Sequence, residues 1–410
     1  MSNLEKTLSV PAAPPSNWLL DAETIFLSHG AYGACPRRVL EFQSEWRARL
    51  ERQPMQFVVR ELEHELDAAR ETLAQFVGAE RDNLVFVNNA TSGVNTVLRS
   101  LSFQPGDELL VTDHEYNASR NALDFAAGRS GARVVVAKIP FPFRTADDIV
   151  TPILDRVTAR TKLALIDHVT SQTGIVLPIA RIVQALNERG VDVLVDGAHA
   201  PGMLPLDLNR LAAAYYTGNC HKWLCAPKGA AFLYVRPDKQ ERIRPLTISH
   251  GANSTRKDRS RFILEFNWQG THDPSAFLSV PEAIRFMGGL LPGGWADVMA
   301  RNRALALAAR KILCGALRID EPCPGEFIGS IAAVPLPDAK ESQFPRLPFN
   351  ESPLQDTLRT KYKIEVPIIF WPGPPKGLLR ISAQLYNSLP QYERLAAAVA
   401  ELHGAGMAAR

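Results

Sequence analysis

Cysteine is scarce, charge of one sign does not dominate, and no long apolar run occurs. Each absence excludes a class of protein. Five cysteines in 410 residues, Cys35, Cys220, Cys225, Cys314 and Cys323, are too few for a disulfide scaffold and odd in number. A reducing, cytoplasmic setting is the expectation. Basic side chains number 46 against 43 acidic ones, and so small an excess leaves no electrostatic footprint for a nucleic acid. No apolar stretch approaches the roughly 20 residues of a membrane helix. The opening MSNLEKTLSVPAAPPSN has no apolar run behind a basic start, so no secretory signal is expected there. Neither G-x-G-x-x-G nor G-x-x-x-x-G-K-[ST] occurs, which argues against dinucleotide and NTP binding.

What is present is an ordinary soluble composition, with 46% apolar residues, in a chain too long for one compact core. Residues 1–25 are polar and Pro-rich and read as an arm outside the core. A large α/β domain is expected over 26–285 and a small α+β domain over 286–410. Leu40, Trp46, Leu50, Leu62, Leu66, Leu73 and Phe76 recur near helical spacing, with a break at Gln53-Pro54. Seven short apolar runs follow at 84–87, 108–112, 133–139, 162–166, 191–195, 212–216 and 231–235. Helix-length stretches at 92–100, 117–130, 146–159 and 178–189 separate the first five. Alternation of this kind predicts a mostly parallel seven-stranded sheet covered on both faces. The last strand should be antiparallel because its connection is short. Beyond 281 the pattern predicts a helix at 295–312, β runs at 328–334, 364–370 and 377–382, and a terminal helix at 389–403. The Pro-rich stretches 344–353 and 367–375 read as irregular loops.

Ligands of open α/β sheets bind beyond the carboxyl ends of the strands. Five successive strand ends carry polar clusters: Asn89-Ala90-Thr91-Ser92-Gly93, Asp113-His114-Glu115-Tyr116-Asn117, His168-Val169-Thr170-Ser171-Gln172, Asp196-Gly197-Ala198-His199 and Thr217-Gly218-Asn219-Cys220-His221-Lys222. Thr91-Ser92-Gly93 opens a helix whose free N–H groups suit a phosphate. Asp196 follows an apolar strand, and a buried carboxylate needs a cationic partner, which a protonated ring nitrogen would supply. Lys222 has few charged neighbours, and a desolvated lysine can form a Schiff base. Together these features specify pyridoxal phosphate.

The strings Val195-Asp196-Gly197-Ala198-His199-Ala200-Pro201-Gly202 and Tyr216-Thr217-Gly218-Asn219-Cys220-His221-Lys222-Trp223, with Leu27-Ser28-His29-Gly30-Ala31-Tyr32-Gly33-Ala34, resemble the class V aminotransferase superfamily of fold-type I pyridoxal-phosphate enzymes. Isopenicillin N epimerase-like proteins are the nearer branch, and cysteine desulfurases and C–S lyases are cousins. The resemblance runs from about residue 27 to 387. It implies that Lys222 holds the cofactor as a Schiff base, Asp196 pairs the pyridinium nitrogen and His199 lies near the phenolic oxygen. Ala90, Thr91, Ser92, Asn219 and His221 would surround the phosphate with Thr217 close by, and Ser171 would touch cofactor or substrate. Tyr116 or His114 would stack on the ring, with Tyr116 favoured. Arg380 would clamp a substrate carboxylate, for which a bidentate guanidinium is suited, and His29 and Tyr32 would also meet substrate. Gly270-Thr271 would reach the phosphate of a neighbouring subunit, which implies a homodimer with shared sites.

Desulfurases carry a nucleophilic Cys on the loop before that arginine. Residues 361–376 contain none, so persulfide chemistry is not expected, and Trp371-Pro372-Gly373-Pro374-Pro375 reads as a pocket wall. Cys220, His221, Cys225 and His199 do not have the usual zinc spacing, and no metal is expected. The reading is Cα-proton chemistry on an amino acid or peptide-like amine, either epimerisation or β-elimination as in a C–S lyase. Transamination is the alternative, and a protein of this fold that has lost catalysis is a further one.

Overall fold

The computed structural model describes residues 3–344 and 352–407. Its centre is a seven-stranded sheet of β1 (Leu84–Val87), β2 (Glu108–Thr112), β3 (Arg133–Ala137), β4 (Thr161–Asp167), β5 (Asp192–Asp196), β6 (Tyr215–Asn219) and β7 (Ala231–Val235). The order across the sheet is β1-β7-β6-β5-β4-β2-β3. All neighbours are parallel except those of β7, which is antiparallel to both β6 and β1. The mostly parallel sheet with one reversed strand is as the sequence predicts.

Strand alternation divides the core in two. Leu110, Ala164, Ile166, Val193 and Val195 pack to one face, and Leu109, Val111, Leu163, Leu165 and Leu194 to the other. Strands buried on both faces need apolar residues at every position, which explains runs without polar interruption. Helices α1 (Arg37–Arg52), α2 (Leu62–Val77), α3 (Ala90–Ser100), α4 (Asn117–Ser130), α5 (Asp147–Leu154) and α6 (Ile179–Asn187) accompany the sheet. The break between α1 and α2 falls at Gln53-Pro54, where proline cannot donate into the preceding turn. The chain then passes through a wide π turn at Phe57–Glu61 before α2. Gly78, with φ of 65°, caps α2 in the left-handed conformation that favours glycine.

Towards the C-terminus, β8 (Ile331–Pro335), β9 (Ile368–Phe370) and β10 (Gly377–Ser382) form an antiparallel sheet of order β9-β10-β8. It packs with α7 (Trp295–Leu317) and α8 (Leu389–Met407). Among the described residues no helix is long and apolar enough to cross a membrane.

Three expectations change. The N-terminal segment is not outside the core: Asn3–Leu8 is helical, and Leu8, Ala13 and Trp18 are buried against the body of the protein. The stretch at 367–375 is not wholly irregular, since 368–370 is strand β9. The other Pro-rich stretch, 344–353, lies almost entirely outside the described residues. Strand β6 starts and ends three residues later than its apolar run suggests. Ala212 turns at φ 56°, and the polar Thr217-Gly218-Asn219 stays in the ladder, paired to β7.

Candidate functional site

Register across the sheet builds the site. Asp167 and Asp196, the last residues of β4 and β5, are register partners, and Asp196 pairs in turn with Thr217 inside β6. Beyond them opens a cavity of about 260 Å³ lined by Asn89, Ala90, Thr91, Tyr116, Asp167, Ser171, Asp196, His199, Asn219, His221 and Lys222, with Ala31 and Tyr32 also at its wall. Ten of the sixteen residues expected at the site line this one cavity.

Lys222 follows β6 and is half-buried at the cavity wall. Burial, reinforced by the positive charge of Arg380 and opposed by Asp196 and Asp167, lowers its pKa to about 7. Its Nζ lies 3.1 Å from His199 Nε2, and the Trp223 indole N–H donates to His199 Nδ1 at 3.4 Å. That places the imidazole proton on Nε2, so His199 donates to the lone pair of a neutral amine. Burial, followed by the charge of Lys222, holds the imidazole pKa well below its ordinary value, consistent with a neutral ring. This is the state in which a lysine is a nucleophile.

Asp196 accepts the Ser119 hydroxyl on Oδ2 at 2.7 Å and the Ala198 N–H on Oδ1 at 3.0 Å. Burial raises its pKa, and those two donors and Lys222 oppose the rise. A cation brought into the cavity would complete the compensation.

The start of α3 forms another wall. Asn89 caps it, accepting from Ser92 N–H at 2.8 Å and from the Ser92 hydroxyl at 3.1 Å. Asn219 Oδ1 accepts the Ala90 N–H at 2.8 Å. The helix sits close on β6, because a Cβ on Gly93 would lie 2.1 Å from Thr217 Oγ1. Thr91 and the helix N-terminus therefore reach the cavity, where an anion is favoured. A phosphate at this wall, a nucleophilic lysine and a buried carboxylate suit the three polar parts of pyridoxal phosphate.

Six expected residues stand elsewhere. Ser92 is used by its own helix cap. Thr217 is buried under α3, with its hydroxyl donating to the Phe232 carbonyl at 2.8 Å, because β6 extends past it. His114 is buried away from the cavity: its nitrogens meet Thr173 Oγ1 at 2.8 Å and the Ile139 carbonyl at 3.0 Å. Its ring packs 4.3 Å from that of Trp371, so Tyr116, 44% exposed, is the aromatic of this segment at the cavity. Trp371 accordingly backs His114 and is not itself a wall of the cavity.

His29 is 0% exposed and supports the lysine from outside the cavity. Its Nε2 faces the Lys222 carbonyl at 3.1 Å, and its Nδ1 meets the Tyr386 hydroxyl at 2.8 Å. Gly33, at φ 70°, lets the same turn press on the backbone, since a Cβ there would fall 1.9 Å from the His221 carbonyl oxygen. Thr271 is exposed and does not line the cavity of its own chain. Arg380, on β10, is buried outside the cavity's lining and donates from Nη1 to Ser171, to its carbonyl at 2.6 Å and its hydroxyl at 3.2 Å. Its Nε is buried without a partner. Burial lowers its pKa to about 10, which leaves it charged at neutral pH. Asn89, Glu115 and Asp167 were not singled out from the sequence, where they look like solvated polar residues.

The model of the aminotransferase class-V family matches residues 32–317. This chain belongs to the class-V aminotransferase family. Among class-V relatives, isopenicillin N epimerase of Streptomyces clavuligerus is 33% identical over 399 residues, 94% of this chain and 96% of that protein. A probable chloroplastic L-cysteine desulfhydrase of Arabidopsis thaliana is 32% identical over 404 residues, 92% and 83% of the two chains. Of solved structures, the cysteine desulfurase CsdA of Escherichia coli has a TM-score of 0.75 at 20% identity, covering 98% of this chain and 99% of that one. A mutant of C-DES with glycine covalently linked to its PLP cofactor has a TM-score of 0.76 at 20% identity, covering 93% and 97%. The fold of this class-V chain is therefore fold type I, as its strings around Asp196 and Lys222 suggested.

Proposed function

We propose that this class-V protein is a pyridoxal-phosphate-dependent enzyme that acts at Cα of an amino acid or peptide-like amine, by epimerisation or by β-elimination. The observation that carries the reading is a half-buried lysine with a lowered pKa in the same cavity as a buried Asp196 and the open end of α3. Lys222 would carry the cofactor, Asp196 would hold its ring nitrogen, and Thr91 with the start of α3 would hold its phosphate. Once bound, the cofactor supplies an electron sink that lets the Cα–H bond break with loss of a proton.

The chain's own groups then decide the outcome. Lys222 Nζ, with a pKa lowered to about 7, accepts the Cα proton on its side in its neutral form. Tyr116 lines the cavity, and burial raises the pKa of its phenol, so it stays protonated and able to donate. Donation to Cα from a second face inverts the centre. Donation to a departing sulfur, with no return to Cα, completes elimination. Arg380, buried with a free Nε, would take the substrate carboxylate, and so select which Cα bond stands perpendicular to the ring. Relatives named isopenicillin N epimerase and L-cysteine desulfhydrase support these two outcomes over transamination. The exposed Thr271 fits a homodimer in which it completes the partner's site.

The test incubates the cofactor-loaded enzyme in D₂O with D- and L-amino acids and S-substituted cysteines. Deuterium at Cα with inversion, or release of keto acid, ammonia and thiol, supports the proposal. Absence of both exchange and product across the panel would overturn it, and stoichiometric amino transfer to a keto acid would replace it with transamination.

A further inference from the structure

Two buried carboxyls beside Asp196 have no part in that chemistry. Glu115, in the turn between β2 and α4, is 5% exposed, and Asp167, the last residue of β4, is 2% exposed. One oxygen from each of Glu115, Asp167 and Asp196 lies within 4.8 Å of the other two. Asp196 has both oxygens engaged, by Ser119 and Ala198. Glu115 Oε1 accepts the Tyr116 N–H at 3.1 Å. Glu115 Oε2 and Asp167 Oδ2 are buried and meet no N–H or O–H donor, although the two side chains bring oxygens within 4.8 Å of each other. Ionised carboxylates only accept, so a bond between them requires a proton. Like charges this close and this buried cannot all ionise.

We propose that Glu115 is a carboxylic acid at neutral pH which donates to the Asp167 carboxylate, and that Asp167, so held ionised, is a second anion at the ring-nitrogen end of the pocket. The location of Asp167 supports the second half, since Asp167 and Asp196 are register partners on adjacent strands and both line the cavity. The proton belongs on Glu115. Burial raises both groups, but Lys222 acts to lower Asp167, whereas the charges acting on Glu115 are the carboxylates of Asp167 and Asp196. A second anion makes the ring nitrogen more basic, and so keeps the electron sink protonated. This second half rests on the assignment of Asp196 to that nitrogen. Glu115 and Asp167 are positioning residues here, acting through charge and not through contact with reacting atoms.

Infrared spectroscopy tests the proton without turnover. The apoprotein and the cofactor-loaded protein at neutral pH should both show the carbonyl stretch of a carboxylic acid, and Glu115→Gln should lose it. Glutamine can donate to Asp167 in the same way, so cofactor affinity should stay within about twofold. In NMR of cofactor with an isotopically labelled ring nitrogen, Asp167→Asn should lower the pH at which that nitrogen loses its proton by about one unit or more. No acid band in the wild-type protein, or a stoichiometric divalent ion in its place, would overturn the shared proton, with no variant needed. An acid band together with an unchanged ring nitrogen in Asp167→Asn would overturn the second-anion role. An unprotonated ring nitrogen in the wild type would instead remove the assignment of Asp196 and leave the shared proton standing.

Discussion

The state of Lys222 can be measured before any substrate is known, through the rate at which the apoprotein captures pyridoxal phosphate. Covalent capture needs the neutral amine. An ordinary lysine has a pKa of 10.5, and Lys222 is lowered to about 7. At pH 7 about half of the protein would then be reactive, against roughly one part in three thousand for an unperturbed side chain. The advantage in reactive amine is therefore of order 10³. The rate should climb about tenfold per pH unit below neutrality and flatten above it, because protonation of one group controls it. Stopped-flow absorbance across the pH range would read this directly. The same titration on N-acetyl-lysine methylamide corrects for ionisation of the cofactor itself. Arg380→Gln should move the bend upward, because the Arg380 charge is one of the two causes of the depression. Borohydride reduction should place the cofactor mass on the Lys222 peptide. A rate that keeps rising tenfold per unit through pH 9, or a label on another peptide, would refute the argument from burial.

Asp196→Asn should keep its cofactor, since Ser119 and Ala198 can still bond an amide, but lose at least ~10²-fold in kcat, about 2.7 kcal/mol; steady-state kinetics on the loaded variant would show it, and a near-normal kcat would remove Asp196 from the ring nitrogen. Arg380→Ala should weaken carboxylate substrates by ~2–5 kcal/mol while amines without a carboxylate lose little, with Arg380→Lys nearly as damaging because an ammonium lacks the planar fork; equal losses for both substrate classes would make the arginine structural. Lys222→Ala chains mixed with inactive Thr271 variants should recover part of the activity through hybrid dimers, and a fully active monomer on sedimentation would contradict shared sites. His29→Phe should destabilise the fold by about 1–3 kcal/mol in denaturant titration, because it strands the buried Tyr386 hydroxyl and leaves the Lys222 carbonyl with the Cys225 N–H alone.

Why the sequence located the cavity but misplaced several of its residues can be argued one residue at a time. Strands buried on both faces must be apolar throughout, so the first polar residue after each run marks a strand end, and strand ends are where the ligand goes. That logic is local, and it found Asp196, Lys222, Thr91 and Ser171. It failed at Thr217 because Thr-Gly-Asn remains in the ladder with β7, and Thr217 pairs with β5 as well. The strand end moved on to Asn219, and Thr217 turned under α3.

The segment after β2 shows a different limit. His114, Glu115 and Tyr116 are adjacent polar residues, and nothing in their order says which faces the cavity. The answer depends on Trp371, more than 250 residues away in sequence, whose indole donates to the Asp113 carbonyl at 3.3 Å and whose ring covers His114. With His114 taken inward, Tyr116 is left for the cavity and Glu115 for the buried carboxyls of Asp167 and Asp196. Resemblance has a matching limit at His29: it marked the right turn of chain but not the right contact, because a residue that holds the lysine's backbone and one that meets substrate can sit in the same motif. The distinction is made by the Tyr386 hydroxyl and the Lys222 carbonyl, two partners that close both ring nitrogens and leave His29 none to offer a ligand.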